Sequence, residues 1–283
     1  MTQALPLDHL VVNTRFDTDA AAALFARLGF TLTPQGRHAM GSVNHLIVFD
    51  HDYLELIGLP TDGGALRQEI LAQPGGIDGL VYKPESADAV HAGLVQRGFP
   101  VLPLHAFTRP LELDGKRYEA SFRTVRFAAE TFAAGRVYYC QHLTPELVWR
   151  PEWQGHANGV RGLSRLTVVS GQPAWDAQRH AEASFGEAQP LGDDAWRVQG
   201  PAFALDIVTP AAYLARYGEL ACQGYGRGSF FGAITLRAGD PAALRAHVAA
   251  LGTQVRSVAR DGGLAVSLTA YNTLLDFEYE QPA

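Results

Sequence analysis

Two ionisable residues lie in apolar strands that give them no obvious structural use. His9 falls in LDHLVV (Leu7–Val12) and Glu55 in YLELIGL (Tyr53–Leu59). Strand alternation places His9 on the face of Leu7 and Val11, and Glu55 with Tyr53 and Ile57. If such a face lines a pocket, a bare carboxylate there costs several kcal/mol. A divalent metal, an arginine or protonation would each relieve that cost. The plainer alternative is a hydrogen-bonded His–Glu pair without metal. A third chemistry-bearing stretch is VYYCQHLTPELVWRPEW, with Cys140, Gln141, His142 and Glu146, followed by His156. Trp149, Arg150, Trp153 and His156 could wall a pocket, with Arg150 suited to a carboxylate or phosphate through bidentate bonding. Equally, they could be mortar packed between two halves of the chain. Cys140 beside His142 suggests a nucleophile pair, but strand neighbours point to opposite faces, so Cys140 reads as a buried small hydrophobe.

The elements that must position these residues repeat four times. LDHLVV is followed by a helix with an acidic start at Asp17–Asp19, closed by the C-cap glycine Gly29. Three β-like stretches complete a βαβββ unit, the last two being NHLIVF and YLELIGL. The second unit opens with IDGLVY, and its helix starts at Ser86 and ends at Gly98. In its middle, LELDGKRYEASFRTVRF carries the turn dipeptide Asp114–Gly115 and predicts an extended hairpin. On that strand Arg123 and Arg126 cannot share a face. The third unit runs from GLSRLTVV to FALDIV. The fourth opens with FGAITL, caps its helix with Asp240–Pro241, and closes with LAVSL and LLDFEYE. The best boundary lies in EWQGHANGV, giving domains over 1–155 and 156–283. The glycine-rich GYGRGS (Gly224–Ser229) precedes a strand rather than a helix, so it reads as a loop and not a phosphate cradle.

Composition excludes several partners. With 283 residues, 47% hydrophobic and 18% charged, the chain can bury a sizeable core and is not disordered. A net charge of −6 with scattered basic residues argues against nucleic acid. The longest apolar runs fall far short of the ~20 residues that span a bilayer. The N-terminus lacks secretory features and the two cysteines make no disulfide framework, so a cytoplasmic protein is expected.

Paired βαβββ units with D-H-L-V-V opening the first and Y-L-E-L closing it resemble the vicinal-oxygen-chelate superfamily, in its glyoxalase-like branch. The resemblance implies an α+β fold in which four βαβββ modules pair into two cupped, mixed β-sheet domains. It also implies a divalent metal (Fe, Mn, Ni, Co or Zn) held by first and last strands of each unit. On that pattern His9 and Glu55 are ligands. Gly79 in IDGLVY stands where a second histidine would be, so His142 is the expected third ligand, with Glu146 and Gln141 as rivals. His45 and Glu146 are the candidate proton-transfer groups, and Trp149, Arg150 and His156 the expected substrate contacts. In the second half Arg165 and Ala233 match His9, while Asp206 and either Asp276 or Glu278 match Glu55. That half is expected to be site-poor, with His180 and His247 on helices. The resemblance implies a lyase or isomerase acting on a small vicinal-oxygen substrate through an enediolate-like intermediate. Its rivals are a metal-free small-molecule binder and an extradiol-type dioxygenase, the latter disfavoured by Gly79. A homodimer is in keeping with the same resemblance.

Overall fold

The computed structural model describes residues 4–280 except 39 and 114. The first half comprises β1 (Leu7–Arg15), α1 (Thr18–Arg27), β2 (Gly36–His38), β3 (Ser42–Val48), β4 (Tyr53–Gly58) and α2 (Gln68–Leu71). It continues with β5 (Gly76–Tyr82), α3 (Ala87–Gln96), β6 (His105–Leu113), β7 (Lys116–Arg126), β8 (Arg136–His142) and the short α4 (Pro151–Gln154). The second half comprises β9 (Val160–Ser170), α5 (Pro173–Ser184), β10 (Ala188–Gly192), β11 (Ala195–Gln199), β12 (Ala204–Val208) and α6 (Pro210–Tyr217). Last come β13 (Ser229–Ala238), α7 (Pro241–Leu251), β14 (Arg256–Arg260), β15 (Gly263–Leu268) and β16 (Thr273–Tyr279).

Each half is one eight-stranded mixed sheet, ordered β2-β3-β4-β1-β5-β8-β7-β6 and β10-β11-β12-β9-β13-β16-β15-β14. The four modules thus pair two by two, β1 lying antiparallel to β5 and β9 to β13. Helix starts reflect the local chemistry: Ser86 accepts from the Ala89 amide and Asp240 from those of Ala242 and Ala243. The expected hairpin is β6–β7, paired from His105↔Thr124 to Leu113↔Lys116. Asp114 of its turn lies outside the described residues, while Gly115 takes the left-handed φ of 71° that the turn needs. The edge strands β2 and β6 come into contact, so the first sheet curls almost into a barrel around a hollow.

The convex faces and the helices on them share one hydrophobic core that includes Leu10, Leu80, Leu166 and Ile234. Each concave face has its own smaller apolar cluster, with Val11, Tyr53 and Val81 in the first and Val169, Tyr213 and Tyr217 in the second. This division corrects the alternation expected for β1. Leu7 packs in the convex core although His9 and Val11 face the cup, because the register slips between Leu7 and His9. That bulge turns Asp8, as well as His9, toward the cup.

Candidate active site

The first cup encloses a cavity of about 770 Å³. Its lining includes His9, Glu55, Asn44, Tyr138, Cys140 and Arg109 on a wall of phenylalanines, tyrosine and aliphatic side chains. His9 is 3% exposed, Glu55 6% and Asp8 0%. The His9 ring stacks on Tyr53, centroids 4.2 Å apart. Nδ1 donates to Asp8 Oδ2 at 2.7 Å, so Nε2 carries the lone pair and faces the Tyr138 hydroxyl at 3.2 Å and Glu55 Oε2 at 3.7 Å. Glu55 Oε1 accepts from Asn44 Nδ2 at 2.6 Å, and Asn44 Oδ1 accepts from Arg109 Nη1 at 3.2 Å. Gly36 makes room for this chain, since a Cβ there would meet Asn44 Oδ1 at 2.4 Å and Arg109 Nη1 at 2.6 Å.

The charges are set by this geometry. Burial alone would raise the Asp8 carboxyl, but the facing His142 and His9 rings reverse it and hold it well below the carboxylate range. Glu55 is likewise lowered, burial being outweighed mainly by His9. Burial, together with the Glu55 charge, raises Tyr138 far above the ordinary phenol, so it stays a donor. Burial, then Asp8 and Glu55, push the Cys140 thiol up strongly. At the cavity wall, burial brings His38 down to about 4, leaving a neutral ring there.

The residues expected to form one metal site do not all converge. His9 and Glu55 meet at the cup floor. His142 instead donates from Nε2 to Asp8 Oδ2 at 3.0 Å, on the Nδ1 side of the His9 ring and away from Glu55. The strand positions that pair across the twofold explain the shortfall. β1–β5 register matches His9 to Gly79 and β5–β8 register matches Glu55 to Tyr138. Gly79 cannot supply a ligand, and a Cβ there would strike Val11 at 2.7 Å. The floor therefore offers His9 and Glu55, with the Tyr138 hydroxyl beside them where a second histidine or carboxylate was expected. Among the described residues, Asp8, Cys140 and His142 are the one trio of His, Cys and acidic side chains whose ligand atoms lie within 4.8 Å of one another. Cys140 and His142, two apart on β8, share a face; the expectation that they point to opposite faces fails because it treats them as adjacent.

Other expected residues lie elsewhere. His45 is on the convex face of β3, bonded to the Thr33 carbonyl at 2.8 Å and near Asp19 at 3.3 Å. Glu146 is exposed on the turn after β8. Neither reaches the cup, so neither is its base. Arg150 pairs with Glu152 at the surface. His156 accepts from the Thr31 amide at 3.0 Å and donates to the Val48 carbonyl at 3.1 Å, stapling α4 to the first sheet. Gln141 bonds the Ala87 amide and the Glu85 carbonyl. Trp149 packs edge-on to His142 and Tyr53 with the Lys83 ammonium 3.6 Å above its ring, behind the site rather than in the cavity. Of the arginine pair, Arg126 faces the cavity and Arg123 bonds Asp88 outside. Asp8, Asn44, Arg109 and Tyr138 are the cup residues that sequence reasoning passes over. Only Asp8, a second polar residue beside His9 in an apolar strand, leaves a visible signal.

Two sheets built from paired βαβββ modules, one hollow and lined by ionisable groups, define a vicinal-oxygen-chelate fold. Residues 7–183 match the family model described as a glyoxalase-like domain, and the chain belongs to that family. A comparison with curated protein sequences finds no match. Among solved structures, a hypothetical protein from Staphylococcus aureus superposes with a TM-score of 0.66 at 12% identity, covering 98% of this chain and 100% of that one. A triple mutant of 4-hydroxymandelate synthase from Streptomyces coelicolor gives 0.55 at 11% identity, covering 99% and 94%. A xylose isomerase-like TIM barrel/4-hydroxyphenylpyruvate dioxygenase fusion protein gives 0.61 at 12% identity, this chain spanning 50% of it. Likeness at these identities is likeness of fold.

Proposed function

We propose that the first cup is the active site of a lyase or isomerase that moves a proton on a small substrate with adjacent oxygen functions. The observation that carries the reading is the His9 ring, oriented from behind by a buried carboxylate and open in front to the cavity. Asp8 accepts the hydrogen bond from Nδ1–H, which fixes the tautomer and leaves the Nε2 lone pair as the base. A substrate C–H or O–H brought to Nε2 in place of the Tyr138 hydroxyl gives up its proton there. The imidazolium that results lies between the carboxylates of Asp8, at 2.7 Å, and Glu55, at 3.7 Å, which stabilise it. Tyr138, released from Nε2, donates its hydroxyl to the oxyanion that develops on the substrate.

The test is proton exchange into solvent D2O, monitored by NMR over a panel of α-hydroxy ketones, α-hydroxy acids and α-oxo acids. Exchange by the wild type and its loss in His9→Ala support the reading. Exchange that survives His9→Ala sinks it. Binding without exchange across the panel makes the cup a sequestering site instead.

A second reading concerns the metal and is favoured by the Asp8–Cys140–His142 trio. A divalent ion such as zinc would be held there by a carboxylate, a thiolate and an imidazole. It would supply a positive charge that fixes Asp8, and loading it would release the Cys140 proton. Elemental analysis separates the possibilities. An ion lost in Cys140→Ser but kept in Glu55→Ala belongs to the trio, and the reverse pattern belongs to the cup floor.

A further inference from the structure

We infer that the cup takes a carboxylate on Arg109, carried by an aromatic or branched apolar body. This deepens the proposed reading of the same site and rests on it for the chemistry after binding. Arg109 lies on β6, 4% exposed, and reaches into the cavity from the strand that closes the curled sheet. The only hydrogen bond of its side chain among the described residues is the one from Nη1 to Asn44, and its Nε has no partner.

The other arginines of the cavity wall are already engaged. Arg67 forks onto Glu69 at 2.8 and 3.0 Å, and Arg126 lies 3.6 Å from the same carboxylate. Arg136 forks onto Asp78 at 2.7 and 3.0 Å. Arg227 turns to the carbonyls of Gly224 and Ala134. Arg109 alone among them is a buried cation with neither a carboxylate nor a pair of carbonyls against it. A buried charge is expensive without a counter-charge, and a planar guanidinium matches the two oxygens of a carboxylate.

The surroundings narrow the class. No lysine lines the cavity among the described residues and its other arginines are engaged, so one guanidinium without a counter-charge, beside the Asn44 carboxamide, is left for the ligand, enough for a monoanion rather than a phosphate dianion. Phe107 and Phe122, stacked with centroids 5.1 Å apart, give the neighbouring wall an aromatic surface. Asn44 joins Arg109 to Glu55 through one carboxamide, and Glu55 is next to His9 Nε2. A carboxylate on Arg109 therefore directs the next atoms of the substrate, its α-carbon and the oxygen on it, toward the base. The repulsive Glu55 charge keeps the acid group at the arginine end. Small α-hydroxy and α-oxo acids with a phenyl or isopropyl side chain meet all of these conditions.

Calorimetry on the full chain tests this with such acids, each beside its amide, and with phenyl phosphate. The expected result is that at least one acid binds about 10–100-fold tighter than its amide. Arg109→Gln should erase that difference and leave the amide where it was, with Arg109→Lys recovering only part of it. An acid and amide bound equally by the wild type overturn the inference, and that comparison needs no variant to fold. Discrimination that survives in Arg109→Gln, tighter binding of phenyl phosphate, or no acid bound across the panel overturn it as well. The proton-exchange assay in the same samples keeps the two readings apart. Arg109-dependent binding without exchange retains the subsite and removes the acid–base reading. His9-dependent exchange with acid and amide bound alike does the opposite.

Discussion

The two cups share one topology and one register, yet one is hollow and the other is filled. Where β1 and β4 set His9 opposite Tyr53 and Val11 opposite Glu55, β9 and β12 set Arg165 opposite Ala204 and Thr167 opposite Asp206. The position of Tyr138 is taken by Asp276, which faces Thr235 across β13 and β16. These residues neutralise one another. Arg165 lies 3.5 Å from Asp206 and also pairs with Glu278, while Arg197 forks onto Asp206 at 2.6 and 2.8 Å. Asp276 accepts from Tyr217 at 2.8 Å and Arg216 at 2.9 Å. Helix α6 and the turn after it then press Tyr213, Tyr217 and Leu220 into the concave face. In the first cup the matching helix α2 is shorter and buries Ile70 against the concave face, and a cavity of about 770 Å³ remains, with Arg109 and His9 on its wall. In the second cup each buried charge is matched by another, whereas in the first Arg109 is buried without a counter-charge and His9 Nε2 faces the cavity.

The sharpest way to break this contrast is to change the matched positions in turn. His9→Ala should cost about 10²–10⁴-fold in proton transfer, whereas Arg165→Ala should leave the rate within about twofold and lower only the melting temperature. A rate loss in Arg165→Ala would mean that the second cup takes part. Asp8→Asn should cost roughly 10–100-fold, falling on kcat rather than KM, because Asp8 orients the base and does not touch substrate. A larger effect on KM would make Asp8 a binding residue.

Stability should show the reverse asymmetry. Asp276→Ala removes a carboxylate that three groups face, leaving Tyr217 and two arginines without it. Arg216 is half in water, which discounts the loss, so about 2–3 kcal/mol is expected, read as a fall in melting temperature of roughly 5–10 °C. Glu55→Gln, at the buried carboxylate of the open cup, should stay within about 1 kcal/mol, since the amide oxygen can still accept from Asn44 and only the pairing with His9 is given up. Equal losses at the two positions would contradict the division between a filled cup and an open one.

How much of this is legible in the sequence depends on the range of the contacts involved. The four modules announce themselves through local signals: apolar strands, Ser86 and Asp240 caps, and helix-ending glycines. The approach of His9 to Glu55 emerges once the modules are paired. The face that Asp8 takes is hidden because alternation assumes an unbroken strand, and the bulge at Leu7–His9 is set by pairing with Tyr82 and Val81. Arg109 is hidden for a longer-range reason. It stands on a hairpin whose own pattern says nothing about where it lands, and only the closure of β6 against β2 carries it over Asn44. His142 misses the cup floor because its strand and face are local properties, whereas the side of the His9 ring that it takes depends on how β8 meets the bulge in β1.

The last prediction lies where the two halves meet and again turns on a matched pair. Asp52, in the turn before β4, occupies the place that Phe203 has before β12. Its Oδ1 accepts from the Leu163 amide at 3.1 Å, and burial raises its pKa to about 6 against that hydrogen bond. The folded chain thus holds the proton that the unfolded chain has already lost, so this group's contribution to stability is greatest below about pH 4 and is lost as pH rises through about 6. Above that pH the buried carboxylate costs on the order of 3 kcal/mol, a cost that Phe203 does not carry. Asp52→Asn keeps an oxygen for the Leu163 amide and removes the charge. Melting curves taken from pH 4 to pH 8 should show the variant and wild type together at the acid end and the variant more stable at the other. A variant less stable at pH 8 would mean that the Asp52 charge itself joins the halves, and that the two turns differ in function and not only in cost.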